Sequence, residues 1–382
     1  MDKLAVVRRN VAWFQHSGIM RPRDGFWGVG ERVLVAGGNA ALDKINQAFY
    51  CQTRLADDVL VLEHRRADCN FQTALLFELA ADTLGETTWR TVADNILGFL
   101  THRSGLRHVR ADDPTRDLWG WSMPLSAEYA WTDDNSWVIS LALVLARRGR
   151  GELREVGVAA GRALNRILQS AVAHLRQHGP DVPFEQPLLP GTNLSPHWFG
   201  LVTMALAHAA AADPATDYSE FVRLYYDLVP LGPPSYERAS RPPTTTGLPW
   251  SLSEYGYLAM AGAVAARQFG LESARAATRA AADALADHQA DDGHLAAEHP
   301  ESPVAAHLAD FIYTQNWGTL GLYHAWLLFD GEPKYRRALD RSLEFLARVQ
   351  DRSGVPWFDG SWRGLYDTRA GAWGGGDCWE GG

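Results

Sequence analysis

The sequence is short of cysteine, of long hydrophobic runs and of positive charge, and each shortage removes a class of protein. Its three cysteines, Cys51, Cys69 and Cys378, are widely spaced and odd in number, with no C-x-x-C pair. They read as reduced, mostly structural residues and give neither a disulfide framework nor a zinc site. No apolar segment reaches the ~18 residues that a membrane span requires. The opening Met1-Asp2-Lys3-Leu4-Ala5-Val6-Val7-Arg8-Arg9 lacks the apolar run of a signal peptide. A cytoplasmic protein with no membrane partner is expected. The net charge of -9 leaves no basic stripe to neutralise phosphates, so nucleic acid is not an expected partner. No His/Glu pair has the spacing of H-E-x-x-H. The glycine-rich stretch 371–382 lacks both the P-loop Lys-Ser/Thr and a G-x-G-x-x-G leading into a helix. Neither a metal nor a cofactor is expected, and nothing in the sequence sets the oligomeric state.

What the chain does have is apolar and aromatic material. Hydrophobic residues make up 46% of its 382 residues, enough for a sizeable core. There are 15 Trp beside 12 Tyr and 14 Phe. Burying an indole completely leaves its N–H in want of a partner, so this many Trp point to stacking surfaces as well as core.

Apolar residues recur at helical spacing in pairs of segments. The expected helices are 4–16, 69–84, 87–104, 134–147, 152–178, 196–212, 217–228, 252–269, 271–289, 310–329 and 333–350. Within a pair the connection is about 2–5 residues, which suits an antiparallel helix hairpin. Between pairs lie long loops near 105–130, 180–195, 229–251, 290–309 and 351–378. Short and long connections alternate, so all long loops fall on one rim. The second helix of a pair tends to end in glycine, as at Gly18, Gly105, Gly293 and Gly354, consistent with a left-handed C-cap.

Five hairpins plus one divided between the chain ends give six. The expected fold is therefore all-α, a single (α/α)6 toroid over residues 1–382 with first helices inside and second helices outside. It lacks the last inner helix, because the chain stops at the loop that would lead into it. Residues 19–68 fit the repeat poorly, with a helix expected only around 40–49.

In such a ring the starts of the inner helices converge on a central cleft. The residues there are Asn70; Asp133, Asp134 and Asn135; His197 and Trp198; Glu254, Tyr255 and Tyr257; Asp310, Tyr313, Asn316 and Trp317; and Asp377 and Glu380. Trp131, Trp137 and Trp250 lie in or beside the same loops. Sugar rings present C–H faces that stack on aromatics and hydroxyls that bond to carboxylates and amides. The expected partner is accordingly a carbohydrate substrate. Cleaving a glycosidic bond takes two carboxyl groups, one an acid and one a base or nucleophile. Asp133 and Asp134 stand together at a helix N-terminus, which favours an ionised carboxylate, while mutual repulsion raises the second. The plainer alternative is that one Asp caps the helix and its neighbour adds a first-turn charge. In the same way, Trp131 and Trp137 are either stacking surfaces or core fillers, and His197 is either a ligand-facing or a structural histidine.

The stretch Trp131-Thr132-Asp133-Asp134-Asn135-Ser136-Trp137 resembles the six-hairpin glycosidases, and most nearly the family 76 endo-α-1,6-mannanases. There an inner helix opens with an aromatic residue, two Asp, Asn, a small residue and Trp. The resemblance implies a glycoside hydrolase in which Asp133 and Asp134 are the catalytic pair. It covers fewer than ten residues. Other enzymes share the toroid: unsaturated uronyl hydrolases, polysaccharide lyases, and sugar 2-epimerases that work with histidines. A non-catalytic sugar-binding scaffold is a further alternative. A terpene cyclase-like toroid would need Asp where Trp131 stands.

Overall fold

The computed structural model describes residues 2–35, 52–57, 59–124, 127–191, 193–238, 244–299 and 304–374. They fall into two compact units. The first draws on Met1–Arg107, Gly120–Glu128 and Glu344–Gly382, the second on His108–Trp119 and Tyr129–Leu343.

Unit 1 holds helix α1 (Lys3–His16), whose N-terminus is capped by the Asp2 carboxylate accepting from the Leu4 and Ala5 amides. It also holds the hairpin of α2 (Ala67–Leu84) and α3 (Thr88–Gly98), which runs on as one π-helical turn, Phe99–Arg103. Gly85 ends α2 in the left-handed conformation at φ 69°, where a side chain would be strained. Residues 19–68, which fit no helical repeat, contain a three-stranded antiparallel sheet instead. Its strands β1 (Arg32–Val35), β2 (Gln52–Ala56) and β3 (Val59–Leu62) lie in the order β1-β3-β2. The run Val59-Leu60-Val61-Leu62 explains the strand type, being apolar and half β-branched. The helix expected at 40–49 lies outside the described residues, as do Asp377 and Glu380.

Unit 2 contains the hairpins α4/α5 (Thr132–Arg147, Leu153–His178), α6/α7 (Leu201–Ala212, Ser219–Leu228) and α8/α9 (Leu252–Phe269, Glu272–Asp287). After them come α10 (Thr314–Leu328) and the first part of α11 (Pro333–Val349). Burial sorts the two helix types. In α4 every residue from Thr132 to Leu143 is buried, and in α8 every residue from Leu252 to Ala266. By contrast α9 buries only Ala274, Ala277, Thr278, Ala281, Ala282 and Leu285, the single stripe of an outer helix. First helices neighbour one another in chain order, α4 on α6, α6 on α8 and α8 on α10, while α5, α7 and α9 form a second layer behind them.

The helix boundaries depart from the sequence pattern where side chains intervene. The fourth inner helix of unit 2 starts at Thr314 rather than 310, because Leu308–Asp310 is extended. The Asp310 carboxylate accepts from the Ile312, Tyr313 and Thr314 amides and so stands ahead of the helix it caps. Helix α5 runs unbroken over Leu153–His178. Among the described residues no helix is long and apolar enough to cross a membrane.

Candidate active site

The first turn of α4 is tied down on all sides, and this fixes the paired aspartates. Trp131 is extended, with ψ 143°, and the helix begins at Thr132. The Thr132 amide and hydroxyl both donate to the Pro190 carbonyl, at 3.1 and 2.9 Å. Asn135 accepts from the Trp119 amide at 2.8 Å and donates to the Trp119 and Trp131 carbonyls at 2.9 and 3.0 Å. Between these anchors Asp133 is 9% exposed and Asp134 4% exposed. Both carboxyls lie in the first helical turn, where unpaired backbone N–H groups favour negative charge.

The neighbouring inner helix brings a histidine to Asp133. Pro196–Gly200 forms a π-helical turn ahead of α6, widening the backbone where His197 and Trp198 emerge. Ser195 caps it, accepting from the His197 amide at 3.2 Å and donating to Glu254 Oε1 at 2.8 Å. His197 Nε2 then lies 3.3 Å from Asp133 Oδ2. The imidazole is parallel to the Tyr257 ring, 4.8 Å between centroids and 7° between planes.

A second imidazole stands close by. His299 is 3% exposed, with its ring 5.6 Å from that of His197 and stacked on Tyr313 at 3.6 Å. It is presented by a chain of buried polar bonds. The Glu298 carboxylate accepts from the Leu252 amide at 2.9 Å and the Thr245 hydroxyl at 2.9 Å. The Glu298 amide donates to Thr314 Oγ1 at 3.2 Å, and that hydroxyl donates in turn to Asp310. Ser251 and Glu254 form a capping box on α8. These bonds lock the loops at 195–197, 298–299 and 310–313 to the N-termini of α8 and α10.

The site has an aromatic wall. Trp131 packs on Trp198 at 5.9 Å, Trp198 on His197 at 5.0 Å, Tyr257 on Trp317 at 5.2 Å, and Trp317 on Trp137 at 4.9 Å. With the His197–Tyr257 stack these rings make one continuous strip. Helices α8 and α10 approach closely enough for this because Gly256 and Gly321 carry no side chains. A Cβ on Gly256 would come within 2.5 Å of the Trp317 carbonyl carbon, and one on Gly321 within 2.7 Å of the Gly256 oxygen.

Of the residues singled out in the sequence, Trp131, Asp133, Asp134, Trp137, His197, Trp198 and Trp317 belong to this helix-start cluster and its strip. Others turn out to hold backbone. Asn135 is fully buried, with its amide engaged as above, so it positions the turn and presents nothing to a ligand. Glu254, 1% exposed, is engaged by Ser195 and Ser251. Asp310 caps α10. Trp250 and Tyr255 belong to the hydrophobic core, the Trp250 indole donating to the Val229 carbonyl. Asn316 is exposed and donates to the Phe311 carbonyl. Asn70, in unit 1, is buried and clasps both backbone groups of Val29. The sequence reading missed Ser195, Glu298 and His299. Glu298-His299 in a loop between hairpins was the one available signal.

Comparison with solved structures places this geometry in a fold. The chain is similar to a cellobiose 2-epimerase from Bacillus thermoamylovorans B4167, with a TM-score of 0.57 at 12% identity over 83% of this chain and 84% of that one. A cellobiose 2-epimerase from Spirochaeta thermophila DSM 6192 gives 0.56 at 17% identity over 99% and 93%. An unsaturated glucuronyl hydrolase from Bacillus sp. GL1 gives 0.54 at 11% identity over 97% and 88%. The fold is the mostly helical α/α toroid. At such identities the toroid is all that these similarities establish. No family model matches the chain, and no match was found among curated proteins.

Proposed function

We propose that the chain is a carbohydrate-active enzyme that hydrolyses glycosidic bonds, with Asp133 and Asp134 as its carboxyl pair. The supporting observation is the buried pair at the start of an inner helix, one member held by His197 beside a strip of Trp and Tyr rings. The helix N-terminus and the imidazole both favour the carboxylate form of Asp133, so it serves as nucleophile or base. Repulsion from that charge favours the protonated form of Asp134, which then donates a proton to the leaving oxygen. The aromatic strip takes the C–H faces of the sugar, and its polar neighbours take the hydroxyls. The test is hydrolysis of a panel of aryl glycosides and oligosaccharides by the wild type, D133N and D134N. If neither substitution slows turnover, the pair is only a helix cap and the assignment falls. The anomer first released, followed by NMR, decides between retention and inversion.

A second reading rests on the His197–His299 pair. Two imidazoles 5.6 Å apart can take a proton from the carbon beside a sugar carbonyl and return one to the opposite face, giving a 2-epimerase. Two of the compared structures are cellobiose 2-epimerases. This chemistry leaves a mark that hydrolysis does not: a reducing disaccharide incubated in D2O gains deuterium at C2, and loses that gain in H197Q and H299Q.

A further inference from the structure

The inner helices of unit 2 carry a second cluster at their opposite ends. Arg147 is the last residue of α4, and Arg267 lies in the last turn of α8. His208 and His324 occupy the corresponding ends of α6 and α10. The Arg147 guanidinium donates to His208 Nδ1 at 2.9 Å. Because Nδ1 accepts, His208 is neutral and carries its proton on Nε2. The charges of Arg147 and Arg267, and His324 itself, all act on His208, and Arg267 acts on His324. The Nδ1 of His324 is buried with no hydrogen-bond partner among the described residues. Both arginines are exposed, while the two imidazoles beneath them are half-buried.

Helix C-termini attract cations, and one basic side chain per helix would ordinarily need no other explanation. Two features here do not fit that account. Arg147 turns its guanidinium to an imidazole, not to a terminal carbonyl. The two histidines are also held neutral: burial first, then the neighbouring cations, brings His208 down to about 3 and His324 to about 4. A histidine serving the helix dipole would instead be pushed up and charged. Among the described residues no carboxylate acts on either imidazole. The cluster thus combines two fixed positive charges with two uncharged rings that can each accept a proton.

We propose that Arg147, His208, Arg267 and His324 form an oxyanion site for a phosphate group, carried either by inorganic phosphate or by a phosphorylated sugar. The guanidiniums bind the oxygens directly, as planar multi-donor groups do. The bound charge opposes the cations beside the histidines and raises the proton affinity of both rings.

The experiment uses the full chain with labelled histidine rings. Inorganic phosphate and a hexose phosphate are titrated separately, each at constant ionic strength against chloride. The expected result is saturable movement of the His208 and His324 ring signals, with their titration midpoints rising by about one unit or more. That response is absent in R147Q/R267Q. A hexose phosphate saturating at lower concentration than phosphate identifies the phosphorylated sugar as the ligand, and equal saturation identifies phosphate. Should the double variant fold poorly, R267Q alone replaces it. Wild-type signals that follow only the chloride control would overturn the proposal, as would a response that survives loss of the arginines.

Discussion

His197 Nε2 lies 3.3 Å from Asp133 Oδ2 while its ring lies flat on Tyr257, so a single side chain joins the starts of three consecutive inner helices. The contact brings together a residue that can carry charge, a carboxylate and an aromatic face. None of the three is near the others in sequence.

The carboxyl pair is tested first. D133N and D134N replace one oxygen by an amide at nearly constant volume, so both variants should fold with wild-type circular dichroism. Each should lose roughly 100- to 10,000-fold in kcat on the best glycoside, the range for removing a positioned proton-transfer group. Unchanged kcat in both would return Asp133 and Asp134 to the role of cap.

His197→Phe keeps a flat ring against Tyr257 and removes both nitrogens. If His197 acts through Asp133, kcat should fall about 100-fold with KM near the wild-type value. A rise in KM alone would show that the residue is only part of the aromatic wall.

Gly256→Ala addresses the helix crossing beneath the strip. Its Cβ would meet the Trp317 and Gly318 backbone at 2.5 and 2.6 Å, and backbone cannot swing away as a side chain can. Helices α8 and α10 must separate, at a cost of about 1–3 kcal/mol, and Trp317 should shift from Trp137. Chemical denaturation measures the first effect and KM the second. Gly151→Ala, which meets nothing within 4 Å, is the control and should change neither.

Asp213 gives a pH-dependent contribution to stability. Arg162 donates to both of its oxygens at 2.8 and 2.9 Å, and the Tyr218 hydroxyl adds a third bond at 3.0 Å. The Arg162 bonds, first among several, hold this carboxyl well below the usual carboxylate range. The folded value is thus depressed. The contribution is complete above the unfolded value of about 3.9 and is lost as pH falls through the folded value. Since Arg162 is largely exposed, Asp213→Asn should cost about 1–2 kcal/mol at pH 7. Urea unfolding should show the gap between variant and wild type constant above about pH 5 and shrinking below about pH 4. A gap that does not change with pH would contradict this.

The hairpins were legible because helix signals are local. Helix α8 has the expected bounds, Leu252–Phe269, since Ser251 and Glu254 announce its start and Gly270 its end within a few residues of sequence. The alternation of short turns and long loops then ordered the helices into two layers. The sheet at Arg32–Leu62 was not legible, because three short strands give little periodicity and their pairing is set by partners elsewhere in the chain.

The site was legible only in part. Asp133, Asp134 and the surrounding Trp residues stood out by type and position. Whether a polar residue at a helix start faces a ligand or holds backbone depends on what lies opposite it. Asn135 and Asp310 look alike as candidates beside Asp133, yet Asn135 is spent on Trp119 and Asp310 on the amides of α10. His299 had only its place beside Glu298 in an inter-hairpin loop to mark it, for its position comes from Glu298 bonding to Leu252 and Thr314. The sequence alone determined the helical hairpins, their order and the carboxyl pair at a helix start, because spacing and capping act over a few residues. Only the tertiary structure decided which side chains meet across the inner helices, because those meetings are made by hydrogen bonds and ring contacts between segments far apart in the chain.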